Sequence, residues 1–291
     1  MIPKEVLKDI RRIQITTSRM VSDVFAGQYQ SVFKGKGIEF DEVREYSPGD
    51  EIRSIDWNVT ARMGHPYVKK FVEERELTVM LLLDMSASSY FGSTHQLKMH
   101  CAAQICSVLA LSAVRNNDKV GFLAFTDSIE KFIPPRKGIR HVLRVVREAL
   151  YLKAKGRKTD IAAALEYLNR VVCRRSVVFV ISDFYSENFK KVLSVTNKRH
   201  DVVAITITDP RELELSDVGM IRLVDPETNE SFVIDTSDAR VRRNYAQDAL
   251  RRQKERESLF ASVNVDGIHL RTDVPYAASL IRFFRKRERR R

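Results

Sequence analysis

Between residues 77 and 210 the chain alternates short apolar runs with segments of helical period. The apolar runs are LTVMLLLD (77–84), KVGFLAF (119–125), SVVFVISD (176–183) and DVVAITIT (201–208). They are continuous and rich in Val, Ile and Leu, which is typical of parallel strands that are buried on both faces. We expect helices at about residues 95–115, 139–152, 160–172 and 188–198. The pattern predicts an α/β fold, a doubly wound and mostly parallel sheet with helices on both faces.

The flanking segments are less regular. Residues 4–24 carry apolar positions at near-helical spacing and predict an amphipathic N-terminal helix, whereas residues 26–75 mix glycines, aromatics and charges. Beyond residue 210 we expect short strands or a hairpin, a long charged helix at about 237–260, a last strand and a last helix. We therefore divide the chain into residues 1–75, packed on the main domain, and residues 76–291, the α/β domain itself.

Charge and cysteine content limit the compartment and the partners. The formal charge is +12, and the final stretch RFFRKRERRR (282–291) holds seven basic residues against Glu288. Such a tail is either a solvated helix end or a weak contact for an anionic surface, such as nucleic acid or lipid headgroups. The three cysteines lack CxxC spacing and are interpreted as buried thiols in a reducing compartment. No stretch approaches the ~20 apolar residues of a membrane span, so we expect a cytoplasmic protein.

Oxygen-bearing side chains stand at the ends of two of the predicted strands and on an adjoining loop. Asp84 ends the first apolar run and is followed by Ser86 and Ser88, Thr159 stands before a helix, and Asp183 ends another run. Ligands of doubly wound sheets bind at the carboxyl ends of the strands. Carboxylate and hydroxyl oxygens suit Mg²⁺ or Mn²⁺. We therefore predict a metal site made of Asp84, Ser86, Ser88, Thr159 and Asp183.

The alternative is that these residues only form turns and helix caps. Asp84 or one of the serines could cap the helix near residue 95, and Thr159 and Asp160 are both good residues for a helix start. For Asp160 we expect a capping role and not a ligand role.

The order DxSxS, then Thr, then Asp at a later strand end resembles the metal-ion-dependent adhesion site of von Willebrand factor type A domains. The upstream segment GKGIEFDEVREYSPGDEIRSIDWNVTARMGHPYVKKFVEERE (35–76) resembles the signature of the bacterial domain of unknown function 58. This resemblance implies that the same five residues bind the ion and that a partner protein supplies an acidic residue to it. It also implies a partnership with a MoxR-type AAA+ ATPase. The loop before Thr159 reads KGRKTD and is less glycine-rich than is usual in the family.

The signature segment itself interleaves opposite charges around Trp57. We interpret it as a structural clamp in which Phe40, Tyr46, Ile55 and Trp57 pack, with a partner-docking surface as the alternative. The chain shows no HExxH, P-loop or GxGxxG motif. We therefore expect a binding or adaptor protein and not an enzyme. The alternative is a Mg²⁺-dependent hydrolase that acts on a phosphorylated or nucleic-acid substrate.

Overall fold

The computed structural model describes residues 39–72 and 76–290 of the 291-residue chain. Contacts divide them into two compact units, a larger one that contains residues 78–290 and a smaller one that contains residues 39–72, 76 and 77. The N-terminal helix expected at residues 4–24 lies outside the described residues. Among the described residues no helix is long and apolar enough to cross a membrane.

The smaller unit is an antiparallel pair of strands with one short helix. Its elements are β1 (Glu39–Glu45), α1 (Trp57–Met63) and β2 (Tyr67–Val72). The Asp56 carboxylate caps α1 by accepting the backbone N–H groups of Asn58 and Val59. Gly64 ends the helix with φ of 75°, which is the left-handed conformation that favours glycine. Trp57 is 66% exposed, and its packing on the main domain stays a prediction.

The larger unit is built around a six-stranded sheet. Its strands are β3 (Thr78–Asp84), β4 (Lys119–Phe125), β5 (Ile129–Arg136), β6 (Val177–Ser182), β7 (Asp201–Thr208) and β10 (Asp266–Arg271). Their order is β10-β7-β6-β3-β4-β5, and every neighbouring pair is parallel except β4 and β5. The predicted doubly wound, mostly parallel α/β fold is confirmed.

Helices and one hairpin surround this sheet. The helices are α2 (Lys98–Arg115), α3 (Ile139–Tyr151), α4 (Ile161–Val171), α5 (Lys190–Arg199), α6 (Pro210–Leu213), α7 (Ala239–Ser262) and α8 (Tyr276–Glu288). The expected hairpin consists of β8 (Met220–Val224) and β9 (Ser231–Asp235), which pair only with each other among the described strands. The hairpin therefore forms a separate two-stranded sheet.

The core occupies both faces of the sheet, as continuous apolar strands require. Met80 and Leu82 of β3 share a core cluster with Leu165 of α4, Leu193 of α5 and Phe260 of α7. The intervening residues of β3 are equally buried and point to the opposite face, where the almost wholly buried α2 packs. The sheet is thus covered on both faces.

The antiparallel edge strand β5 was not predicted. Its sequence, IEKFIPPR, is neither a continuous apolar run nor a clean alternation. Pro134 and Pro135 cannot donate backbone hydrogen bonds, which is tolerated because β5 lies at the edge.

Two expectations about thiols and charge need correction. Cys101 and Cys106 are buried, but Cys173 is exposed, so the expectation that all three thiols are buried was wrong. The basic tail is partly used inside the molecule, since Arg287 of α8 pairs with Asp201 and with Asp266. The C-terminal stretch is therefore in part a helix that is pinned to the sheet.

Candidate functional site

The site lies where the chain changes direction across the sheet. From the central strand β3 the chain fills one side with β4 and β5, and then crosses to fill the other side with β6, β7 and β10. The neighbouring strands β3 and β6 therefore form the topological switch point, where ligands of such sheets bind. Leu83 pairs with Ile181, so Asp84 at the end of β3 and Asp183 just after β6 emerge at the same edge.

Asp84 is held in a buried network of hydrogen bonds. Its side chain is 1% exposed. One carboxylate oxygen accepts the Ser86 backbone N–H at 2.9 Å, and the other accepts the Ser182 hydroxyl at 2.5 Å. Burial, and then the negative charge of Asp183, raise the pKa of Asp84 to about 7, against the opposing effect of the hydrogen bonds from Ser182 and Ser86. Two acidic groups this close are a natural place for a cation.

Ser86 and Ser88 are brought side by side by a 3₁₀ turn at Ala87–Tyr90. Their hydroxyl oxygens are 3.0 Å apart. In an octahedral shell with metal–oxygen distances of 2.0–2.1 Å, adjacent ligands are about 2.9 Å apart, so this spacing fits two neighbouring ligands of one ion. The capping alternative is wrong for this loop. Ser86 makes no side-chain cap bond, and α2 begins after Leu97 without a side-chain cap.

A second loop, residues 155–160, is tied to the serine loop. The Ala87 N–H donates to the Arg157 carbonyl at 2.8 Å. Gly156 donates its N–H to the Glu130 carboxylate at 2.8 Å. A Cβ at Gly156 would lie 2.2 Å from Thr126 Oγ1, so this close approach requires glycine. The single glycine of KGRKTD therefore sets the position of the loop.

This loop carries Thr159 and leads directly into α4. Thr159 is half-buried, and its hydroxyl donates to Oε1 of Glu227, in the turn of the β8–β9 hairpin, at 2.9 Å. The hydroxyl of Ser186, on the loop after β6, donates to the backbone carbonyl oxygen of Thr159 at 3.4 Å. Asp160 caps α4 by accepting the Ala163 N–H at 2.9 Å, which confirms the role predicted for it.

Asp183 is paired with a buried lysine. Lys98, the first residue of α2, donates to Asp183 Oδ2 at 2.8 Å and to Glu212 Oε1 at 2.6 Å. Burial lowers the pKa of Lys98, but the charges of Asp183 and Glu212 and their hydrogen bonds outweigh burial, and the net shift is upward. Burial raises the pKa of Glu212, although the charge of Lys98 and its hydrogen bond act to lower it. Lys98 therefore stays protonated and holds Asp183 in place.

Four of the residues at the site were not predicted from sequence. Ser182 directly precedes Asp183, Glu212 lies in the charged stretch PRELE, and Glu227 lies in the turn PETNE, and none of these stretches carries a site pattern of its own. Lys98 offered one signal. It opens a long apolar helical run, and a lysine in such a place is buried only when it is paired.

The donor set is consistent with a hard metal ion. Among the described residues no group of three or more His, Cys, Asp or Glu side chains is arranged to hold a metal. The predicted set differs from such groups, because three of its five members are hydroxyls. Asp84, Ser86 and Ser88 converge directly, Asp183 lies close enough to act on the charge of Asp84, and Thr159 is carried by a loop bonded to Ala87. Such oxygen donors suit Mg²⁺ or Mn²⁺.

Comparisons with known proteins give the family. An uncharacterized protein of Mycobacterium tuberculosis (strain ATCC 25618 / H37Rv) is 32% identical over 286 residues, which are 96% of this chain and 89% of that protein. A structure of an aerotolerance-related membrane protein from Bacteroides fragilis is 16% identical, with a TM-score of 0.47, and the match covers 74% of this chain and 100% of that one. The SpRpn10 VWA domain is 12% identical, with a TM-score of 0.39, over 71% of this chain and 94% of that one. The model of the family described as "Protein of unknown function DUF58" matches residues 42–256, and the chain belongs to that family.

Proposed function

We propose that the chain is a metal-dependent protein-interaction module whose ion site consists of Asp84, Ser86, Ser88, Thr159 and Asp183. One observation carries the proposal. The Ser86 and Ser88 hydroxyls lie 3.0 Å apart at the switch point of the sheet, beside the buried Asp84 carboxylate.

Each residue has a distinct part in this proposal. Asp84 supplies buried negative charge, and its hydrogen bonds to the Ser86 N–H and the Ser182 hydroxyl fix its orientation. The hydroxyls of Ser86, Ser88 and Thr159 supply neutral oxygen ligands, while Asp183 is oriented by Lys98. A bound Mg²⁺ or Mn²⁺ would supply the positive charge that receives a carboxylate from another protein.

The proposal extends to the identity of the partner protein. The family resemblance suggests a MoxR-type AAA+ ATPase in the cytoplasm, acting with this chain in the assembly or maturation of other proteins. The support for this partner is the resemblance alone, and the site geometry supports only an acidic side chain.

The proposal is tested by metal-dependent binding. The chain is immobilised and exposed to the purified MoxR-type ATPase of the same organism, with Mg²⁺ or with a chelator. We expect binding that needs Mg²⁺ and is lost in Asp84→Ala. The matched control is Asp160→Asn, which removes one carboxylate next to Thr159 but keeps an oxygen to cap α4.

Two results would count against the proposal. Equal binding with and without metal, in the wild type and in Asp84→Ala, would refute an ion-bridged interface. Hydrolysis of a phosphate ester that needs both Mg²⁺ and Asp84 would favour the hydrolase alternative instead.

A further inference from the structure

The turn of the β8–β9 hairpin reaches the candidate ion site from the side of the Thr159 loop. Glu227 Oε1 accepts the Thr159 hydroxyl at 2.9 Å. One residue earlier, the Pro226 carbonyl accepts a hydrogen bond from Arg157 Nη2, also at 2.9 Å. Two consecutive residues of the turn therefore contact two residues of one site loop, which fixes both the position and the direction of the turn.

The turn is organised so that Glu227 is presented in this direction. The Asp225 carboxylate accepts the Glu227 N–H at 2.8 Å, and its backbone carbonyl accepts the Asn229 N–H, also at 2.8 Å. Asn229 has φ of 67°, a conformation that asparagine tolerates better than most residues. The Asp225 N–H in turn donates to the Glu230 carbonyl at 2.9 Å. The backbone of the turn that carries Glu227 is thus held by a closed local network.

We propose that Glu227 becomes an internal acidic ligand of the ion site when a metal binds, and that it then holds the position that a carboxylate of a partner protein takes on binding. This inference rests on the proposed function, because it names the group that competes with the partner at the same site.

The geometry and the charge of Glu227 support this role. Its carboxylate oxygen is 2.9 Å from the hydroxyl oxygen of Thr159, which matches the roughly 2.9 Å between adjacent ligands of an octahedral ion. Burial raises the pKa of Glu227, and the negative charges of Asp183 and Asp225 act in the same direction, while the hydrogen bond from Thr159 acts to lower it. Glu227 is therefore within electrostatic reach of the second carboxylate of the site, and a cation placed there would be attracted by both.

The hairpin is attached in a way that permits release. Among the described strands β8 and β9 pair only with each other, and a two-stranded hairpin is marginally stable by itself. At its base Arg242 of α7 donates to the Ser237 carbonyl at 3.0 Å and pairs with Asp217 at 3.1 Å. The base is thus anchored independently of the tip, so the tip can leave Thr159 while the base stays in place. A partner carboxylate would displace Glu227 and move the hairpin tip.

Hydrogen exchange of the full chain with and without Mg²⁺ tests the inference, with Mn²⁺ as a second probe. In the wild type, Mg²⁺ should slow amide exchange both at residues 84–90 and at the hairpin, residues 220–235. Glu227→Gln should keep the protection at residues 84–90 and lose it at the hairpin, and should bind Mn²⁺ about tenfold more weakly. Water-proton relaxation per bound Mn²⁺ should rise in this variant, because water replaces the carboxylate. The matched control is Glu230→Gln, which removes an exposed carboxylate from the same turn and should behave as the wild type.

The outcomes separate the two proposals. Mg²⁺-induced protection at residues 84–90 without any change in the hairpin, or equal Mn²⁺ affinity and relaxation in Glu227→Gln and the wild type, would overturn the internal ligand and leave the ion site standing. Faster hairpin exchange on Mg²⁺ addition would also overturn it, since the ion would then expel Glu227. Mn²⁺ affinity that is equal in the wild type and Asp84→Ala would refute the ion site itself.

Discussion

The buried lysine at the start of α2 gives the sharpest stability prediction. Lys98 is 2% exposed and is the shared partner of Asp183 and Glu212. In Lys98→Met a flexible apolar side chain of similar length replaces it, so the change removes the charge and the hydrogen bonds with little loss of volume. Two carboxylates, one of them almost fully buried, are then left without their cation.

The expected loss follows from the burial of the pair. Removal of one partner from a buried ion pair costs about 3–5 kcal/mol, because the remaining charge stays desolvated. For domains of about 150–250 residues each kcal/mol lowers the melting temperature by about 2–4 °C, so we expect a fall of about 6–20 °C. The loss should be smaller at pH 5 than at pH 8. An unpaired buried carboxyl has a raised pKa in the folded protein. The folded protein is therefore favoured at low pH, where this carboxyl is protonated, and it loses stability as the pH rises through the raised pKa.

Urea unfolding at pH 5 and at pH 8 measures the loss of unfolding free energy in Lys98→Met. Lys191→Met is the control, because Lys191 is an exposed lysine on α5. The control should change the free energy of unfolding by no more than about 0.5 kcal/mol. Adding Asp183→Asn to Lys98→Met should recover part of the loss, since it removes one of the stranded charges. A loss below about 1 kcal/mol in Lys98→Met, with an unchanged denaturant slope, would refute the reasoning that Lys98 compensates a desolvated pair.

Three further predictions concern single positions. Because the pKa of Asp84 is raised from 3.8 to about 7, its carboxyl should contribute a loss of at most about 4 kcal/mol of stability to the metal-free protein as the pH rises from about 4 to about 7. In urea unfolding with a chelator present, this contribution is the pH-dependent difference between the wild type and Asp84→Asn, and parallel pH profiles for the two would contradict the assignment. Gly156→Ala should cost about 1–3 kcal/mol and weaken Mg²⁺ binding in calorimetry, since its Cβ would meet Thr126 at 2.2 Å; unchanged affinity would show that the loop does not position Thr159. Burial, and then Arg199, lower the pKa of His200 to about 4, so its imidazole should contribute a loss of up to about 3 kcal/mol as the pH falls from about 6.5 to 4, opposite in sign to the contribution of Asp84. The stability of the wild type relative to His200→Leu should fall by that amount over this range, and parallel pH profiles would refute the claim.

The fold was largely predictable because its strongest signal is local. A parallel strand that is covered on both faces must be continuously apolar, so β3, β4, β6 and β7 could be located from composition and length alone. The edge strand β5 is covered less completely and contains two prolines, and it therefore carries no such pattern. The order of the strands was also not predictable, because the sequence shows where strands are and not which strands are neighbours.

The site was predictable only as far as its residues lie at strand ends and helix starts. Asp84 and Asp183 could be identified because they end apolar runs, and Thr159 because it stands just before a helix. The contact of Lys98 with Asp183 spans 85 residues, and that of Glu227 with Thr159 spans 68. No local pattern specifies pairs at such distances, since they depend on how separate elements pack.

The two prolines of β5 have a consequence for how other chains can attach to this molecule. An open sheet edge normally invites a strand from another polypeptide to join by backbone hydrogen bonding, which is a common route both to peptide recognition and to aggregation. Pro134 and Pro135 leave this stretch of β5 without backbone N–H groups to offer to a joining strand. Recruitment by strand addition is therefore disfavoured at the C-terminal end of β5.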